Sequence, residues 1–224
     1  MEKIYTIPVN ETFEEQDGCP FCRLFSRLES DELDIILGAS LMEPDIRIET
    51  NKKGFCHAHY EKMFEGKNRL GLGLMLETHI AELITRLEKM PLLSDKTKAT
   101  SDYLEEASHS CYICDRIENN FEKMIECACI LWETDEAFRE KFAKTPYFCI
   151  EHYSRMMKCA TTFVSKKVRP DFYKAASTIE LAYLKELQGD VSWFCMKFDY
   201  RYDDEPWGNS KDAVERAIKS VYHK

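Results

Sequence analysis

The sequence predicts an all-α fold of two tandem helical repeats, each with its own Cys3His metal site, followed by a short C-terminal helix. Three observations carry that expectation. Apolar residues recur at helical steps, strand alternation is nearly absent, and one set of four cysteine and histidine residues occurs twice in register.

Repeat one is expected over 1–95 and repeat two over 96–200, with a closing turn and helix over 201–224, all packed as one unit. The lead-in "KIYTIPV" reads as extended. Leu76, Ile80, Leu83, Leu87 and Met90 then fall at steps of 4, 3, 4 and 3, the stripe of a helix with one face inward. "MPLLSDKTKATS" has no apolar period and reads as the linker between repeats. Ile117, Phe121, Met124, Ala128 and Leu131 repeat the same steps in the second half, and Phe172 through Ile179 and Tyr183 to Phe194 is also helical. "KFDYRY" is a weak strand candidate. Val214, Ile218 and Val221 mark the tail helix, with Asn209 or Ser210 as its cap.

The duplicated residues carry the chemistry. Cys19 and Cys22 of "CPFC" return as Cys111 and Cys114 of "CYIC", 92 residues on, and Cys56 and His59 of "FCHAH" return as Cys149 and His152 of "FCIEH", 93 residues on. Each half thus reads C-x2-C, a spacer of 33 or 34 residues, then C-x2-H, with Phe55/Phe148 and Tyr60/Tyr153 flanking the later pair. Zinc takes thiolates and imidazoles in a tetrahedron and commonly draws two ligands from C-x2-C. In C-x2-H the two donors stand at i and i+3, on one face at the start of a helix, where the positive end of the dipole favours thiolate. The expectation is that each repeat closes its own site across its own spacer, holding two Zn2+ in all. An iron–sulfur cluster on the same donors is the alternative, cobalt and ferrous iron share the donor preference, and plain buried thiols are the bland one. Four protein ligands leave no open position, so the sites read as structural.

Register also chooses among histidines: His59 is matched by His152, whereas His57 is matched by Ile150 and reads as a surface residue or one that supports the ligands from behind. His79 borders the Leu76/Ile80/Leu83 stripe and reads as a satisfied histidine at the core edge; His109, two residues before Cys111, reads as a support to the ligands or as no part of the site, and His223 as solvated. Cys127 and Cys129 lie about 160° apart on a helix and cannot share an ion, so they read as packing thiols, as do Cys159 and Cys195. Asp199, Asp203, Asp204 and Glu205 lack the spacing of a calcium loop and read as a charged turn. The glycines of "RLGLGLML" mark a helix start or a close crossing.

A net charge of −9 disfavours nucleic acid, although "SKKVRP" forms a local basic patch. Two sites of three thiolates each would take the charge to about −11. No run of 18 apolar residues and no secretory leader is present, and ten cysteines without one point to a reducing, cytoplasmic setting.

The phrases "YTIPVN", "CPFC", "GFCHAH", "GLGLMLETH", "CYIC", "YFCIEH" and "KFDYR…PWGNSKDA" resemble an uncharacterised bacterial family, mostly from anaerobes, classed as a domain of unknown function. That resemblance covers nearly the whole chain and implies a helical, duplicated Cys/His protein with no established activity. With no Ser-His-Asp set, Walker loop or H-E-x-x-H in view, the expectation is a metal-stabilised module for a protein or small-molecule partner. The second reading is a metalloenzyme, or a thiol-redox or metal-handling protein with one labile site, in which His79 or the acidic turn takes part. A third places a cofactor near Trp193 or Trp207.

Overall fold

The computed structural model describes residues 3–89 and 95–221, and among these residues every regular element is helical. The α-helices are α1 (Lys3–Glu14), α2 (Pro20–Leu37), α3 (Pro44–Lys53), α4 (His57–Glu65), α5 (Arg69–Glu88), α6 (Lys96–His109), α7 (Tyr112–Thr134), α8 (Glu136–Ala143), α9 (Ile150–Phe163), α10 (Arg169–Met196) and α11 (Ala213–Val221), with short 3-10 turns at Tyr200–Tyr202 and Gly208–Ser210. No described helix is long and apolar enough to cross a membrane.

Two compact units emerge, and they do not coincide with the sequence halves. One comprises Met1–Phe25 with Phe121–Lys224; the other is the continuous stretch Ser26–Asn120.

The first unit is built on aromatic rings. Phe13, Phe21, Phe121, Phe138, Phe142, Phe148 and Phe172 are all fully buried. Phe13 lies 4.9 Å from Phe138, 5.5 Å from Phe21 and 5.9 Å from Phe142, centroid to centroid, separations at which tilted and edge-on rings attract. Each such side chain contributes about 1.5–3 kcal/mol by burial. This packing overturns the extended reading of "KIYTIPV": with Val9, Thr12 and Phe13 buried, the segment has an inward face at helical steps, and α1 forms despite Pro8. Pro8 costs only one amide bond near the helix start, and its carbonyl accepts the Thr12 hydroxyl at 2.9 Å.

The "KFDYRY" segment is also not a strand. Asp199 caps the 3-10 turn by accepting the Arg201 N–H. Behind it the Lys197 side chain, 7 % exposed, donates to the carbonyls of Tyr202, Asp203 and Glu205 and sits 5.4 Å from the Trp207 ring. Trp193 donates its indole N–H to the Pro206 carbonyl. The acidic turn is therefore wrapped around an ammonium, and both tryptophans are engaged in holding it. At α11 neither Asn209 nor Ser210 is the cap: the helix begins at Ala213, and its first bond runs from the Arg216 N–H to the Asp212 carbonyl. Its buried residues are Ala213 and Ser220, while Val214, Ile218 and Val221 face outward. Small residues let α11 approach its neighbours closely, which the larger apolar ones would prevent.

In the second unit Asn68 opens α5, its side chain accepting the Gly71 N–H and donating to the Leu37 carbonyl. Gly71, Leu72 and Met75 are the buried face of α5, whereas of the expected stripe Leu76 and Leu83 are half-buried and Ile80 and Leu87 exposed, so that stripe is not the inward one; Met90 lies outside the described residues. The linker reading of "MPLLSDKTKATS" also changes. Residues 90–94 lie outside the described residues, and from Asp95, whose carboxylate accepts the N–H groups of Thr97 and Lys98, the chain is α6.

Candidate metal centres

All four cysteine-containing pairs adopt one local geometry. Cys56 and Cys149 are the N-cap residues of α4 and α9, and His59 and His152 follow at the third helical position. Cys19 and Cys111 immediately precede α2 and α7, with Cys22 and Cys114 at the third position. Two glycines set up the approach. Gly18, before Cys19, has φ 140°, and Gly54, two before Cys56, has φ 61° with its carbonyl accepting the Tyr112 N–H. A Cβ at Gly54 would stand 2.6 Å from His79 Nε2, so only glycine fits.

The pairs meet in quartets, each from two helix N-termini. Cys19, Cys22, Cys149 and His152 form one, and Cys56, His59, Cys111 and Cys114 the other, with donor atoms in each within 4.8 Å of one another. Each quartet lies within one compact unit. The pairing is crossed: the C-x2-C of each half joins the C-x2-H of the other, and the expected closure within each repeat is corrected. The spacer between the pairs of the first half is helical, not a loop free to fold back: α2 has 18 residues, about 27 Å, and α3 has 10, about 15 Å.

Donor spacings fit a single tetrahedral ion. Bonds of about 2.3 Å to sulfur and 2.0 Å to nitrogen place donors about 3.8 Å apart for S···S and 3.5 Å for S···N. Cys22 and Cys149 Sγ are 3.6 Å apart, and Cys56 and Cys114 Sγ 3.8 Å. His152 Nδ1 is 3.0, 3.4 and 3.7 Å from the sulfurs of Cys149, Cys22 and Cys19, and His59 Nδ1 is 3.2, 3.3 and 3.4 Å from those of Cys56, Cys111 and Cys114. Both histidines present Nδ1. All ten cysteines are free thiols.

Thiol electrostatics in the metal-free chain show competition for one negative charge. Burial raises Cys19, but hydrogen bonds from Cys149, Cys22 and His152 outweigh it and hold its thiol well below the ordinary value. Sharing hydrogen bonds with Cys149 and Cys19, Cys22 is pushed up, while Cys149 rises to about 12, first through its hydrogen bond with Cys19. In the other quartet burial leads in raising both Cys111 and Cys114, and it lowers His59, favouring the neutral imidazole a metal requires. A divalent ion held there would replace this proton sharing with three thiolates.

The surroundings differ between the two. Cys19, Cys149 and His152 are buried, and the His152 ring packs 5.0 Å from Phe121 and 6.1 Å from Phe21. The Phe148 N–H, beside Cys149, donates to buried Glu180, whose carboxyl is raised by burial. In the second quartet Cys114 is exposed and Cys56 partly so, and His59 Nε2 lies 3.2 Å from Glu29 Oε1. A carboxylate on the far ring nitrogen fixes the tautomer and strengthens the ligand. Sequence reasoning missed Glu29 and Glu180. Glu29 stands seven residues past Cys22, where the other half has Phe121, so matching the two halves gave no signal for it.

The remaining candidates stay apart. His57 is exposed and pairs with Glu61, His79 donates from Nδ1 to the Asn51 carbonyl at 2.7 Å, and His109 bonds the Glu105 carbonyl. Cys127 approaches Thr6, and Cys129 the Met156 carbonyl and Cys159. Cys195 is exposed, contrary to its reading as a packing thiol. His223 lies outside the described residues.

Fold and site together define an all-helical protein with two Cys/His clusters able to hold metal ions. The chain belongs to a family of unknown function, DUF6062, whose model matches residues 1–224. No curated protein and no solved structure matches it.

Proposed function

We propose that the protein is a zinc-binding helical module whose two ions clamp helix N-termini and present a surface or cavity to a protein or small-molecule partner in a reducing cytoplasm. The observation that carries this is the tetrahedral spacing of both quartets, each with four protein donors, the complete ligand set of a structural zinc. Zinc is favoured over a two-iron cluster because all four donors gather around one centre, whereas a cluster divides its donors between two irons. That each ligand pair starts a helix in the same way supports an origin by duplication. A cavity of about 520 Å³ in the second unit, lined by Lys52, Lys53, Arg86, Tyr103, Glu106 and His109, is of the size that takes small molecules. The acidic total charge argues against nucleic acid.

Metal analysis of protein purified with zinc present tests the reading: two ions per chain are expected, and removing them with a strong chelator should lower the midpoint of cooperative unfolding. Zero or one ion per chain, or iron with a coloured spectrum, overturns it. A second reading, a thiol-redox or metal-handling protein with one labile site, is favoured by a single observation, the exposure of Cys114.

A further inference from the structure

The geometry points to the quartet Cys56, His59, Cys111 and Cys114 as an oxidant-reactive site, in which a peroxide converts Cys114 and a second ligand of the same quartet into a disulfide and frees that ion alone. The inference rests on both quartets holding an ion.

Access to a ligand side chain separates this quartet from its counterpart. Cys114 is exposed and Cys56 partly exposed, so an attacking molecule reaches a ligand sulfur without opening the fold. The Cys56 and Cys114 sulfurs are 3.8 Å apart on this accessible side, and closing to a bond of about 2 Å needs a shift of about 1.8 Å once no ion lies between them. The counterpart has a sulfur pair as close, Cys22 and Cys149 at 3.6 Å, but no exposed member: Cys22 is half-buried, Cys19 and Cys149 are 3 % and 1 % exposed, and His152 is walled by Phe21 and Phe121. Equal donor sets therefore differ in access, and thiol oxidation follows thiolate character and access together.

The chemistry balances with peroxide as the only added reagent. The Cys114 thiolate attacks one peroxide oxygen; an S–O bond forms, the O–O bond breaks, and hydroxide leaves to take a proton as water. The Cys56 thiolate then attacks the sulfenic sulfur; an S–S bond forms and the S–O bond breaks, releasing a second water after another proton. Two thiolates lose two electrons, one peroxide gains them, and two protons are consumed. One thiolate and one imidazole remain, too few to hold the ion.

Titration of the two-ion protein with hydrogen peroxide, beside a chromophoric chelator, is the test. Release of one zinc per chain is expected, with a Cys114 disulfide inside the quartet in non-reducing peptide mass maps and all cysteines of the buried quartet still reduced. Thiol reductant and zinc should restore two ions. Cys149→Ser, which disables the buried quartet, should still release its single remaining zinc, and Cys114→Ser should release none. Simultaneous loss of both ions, earlier loss from the buried quartet, a disulfide without Cys114, or an ion that reductant and zinc do not restore overturns the inference. Metal content below two before peroxide is added sinks the metal reading itself and is scored separately.

Discussion

Substituting Cys149→Ser should expose Cys19 and Cys22 to alkylation while Cys56, Cys111 and Cys114 stay protected. The prediction follows from the crossed quartets, since Cys149 shares donors with Cys22 at 3.6 Å although 127 residues separate them. A structural zinc site has an apparent worth of about 10–16 kcal/mol, so a quarter share is about 2.5–4 kcal/mol, or about two to three powers of ten in affinity. At a chelator concentration set between the two affinities, the altered site empties and the other stays filled. The cost extends to folding, because a cross-link closing 127 residues contributes about 5 kcal/mol through chain entropy. The assay is pulsed alkylation with mass-spectrometric readout of each cysteine. If Cys111 and Cys114 lose protection instead, each half closes its own site and the crossed arrangement is wrong.

Other consequences can be measured on the same material. Glu29→Gln should weaken zinc at His59 by about 10–100-fold without touching the other site; equal loss at both, in chelator competition, would show that the carboxylate at 3.2 Å does not support the ligand. Phe13→Ala should cost about 3–5 kcal/mol in urea unfolding, since Phe13 is 2 % exposed among four rings, and a loss below about 1 kcal/mol would contradict the helical placement of α1. Lys197→Met leaves three carbonyls without their donor and should destabilise by about 2 kcal/mol or more, visible as a lower unfolding midpoint and altered near-UV signal from Trp193 and Trp207. In the metal-free protein the buried thiols should make stability peak near pH 9. Cys19, held low, contributes stability that is lost as pH falls, while Cys149, raised from 9.0 to about 12, contributes stability that is lost as pH rises through that window. The zinc-loaded protein should instead weaken mainly in acid, as protons compete for thiolates; a metal-free profile flat between pH 8 and 12 would refute the thiol assignment.

The sequence by itself determined the helical class and the members of the two Cys/His clusters. Steps of 4, 3, 4 and 3 from Ile117 to Leu131 are the signature of a helix, and all five residues are buried, because periodicity is a local property of the backbone. The repeated Cys/His pattern singled out the donor residues and set His59 apart from His57, since a pair at i and i+3 can share a helix face wherever that helix lies. Tertiary structure alone decided which pairs meet, for a helix fixes its own donors but not the partner its N-terminus faces. It decided too which apolar residues face inward: Ile80 and Leu87 on α5 and Val214, Ile218 and Val221 on α11 are exposed while Gly71, Ala213 and Ser220 are buried, because close approach between helices selects small residues that periodicity does not register. It also decided that one cluster is sheltered by aromatic rings and the other opens Cys114 to solvent, because Phe21 and Phe121 reach His152 only through contacts between segments far apart in the chain.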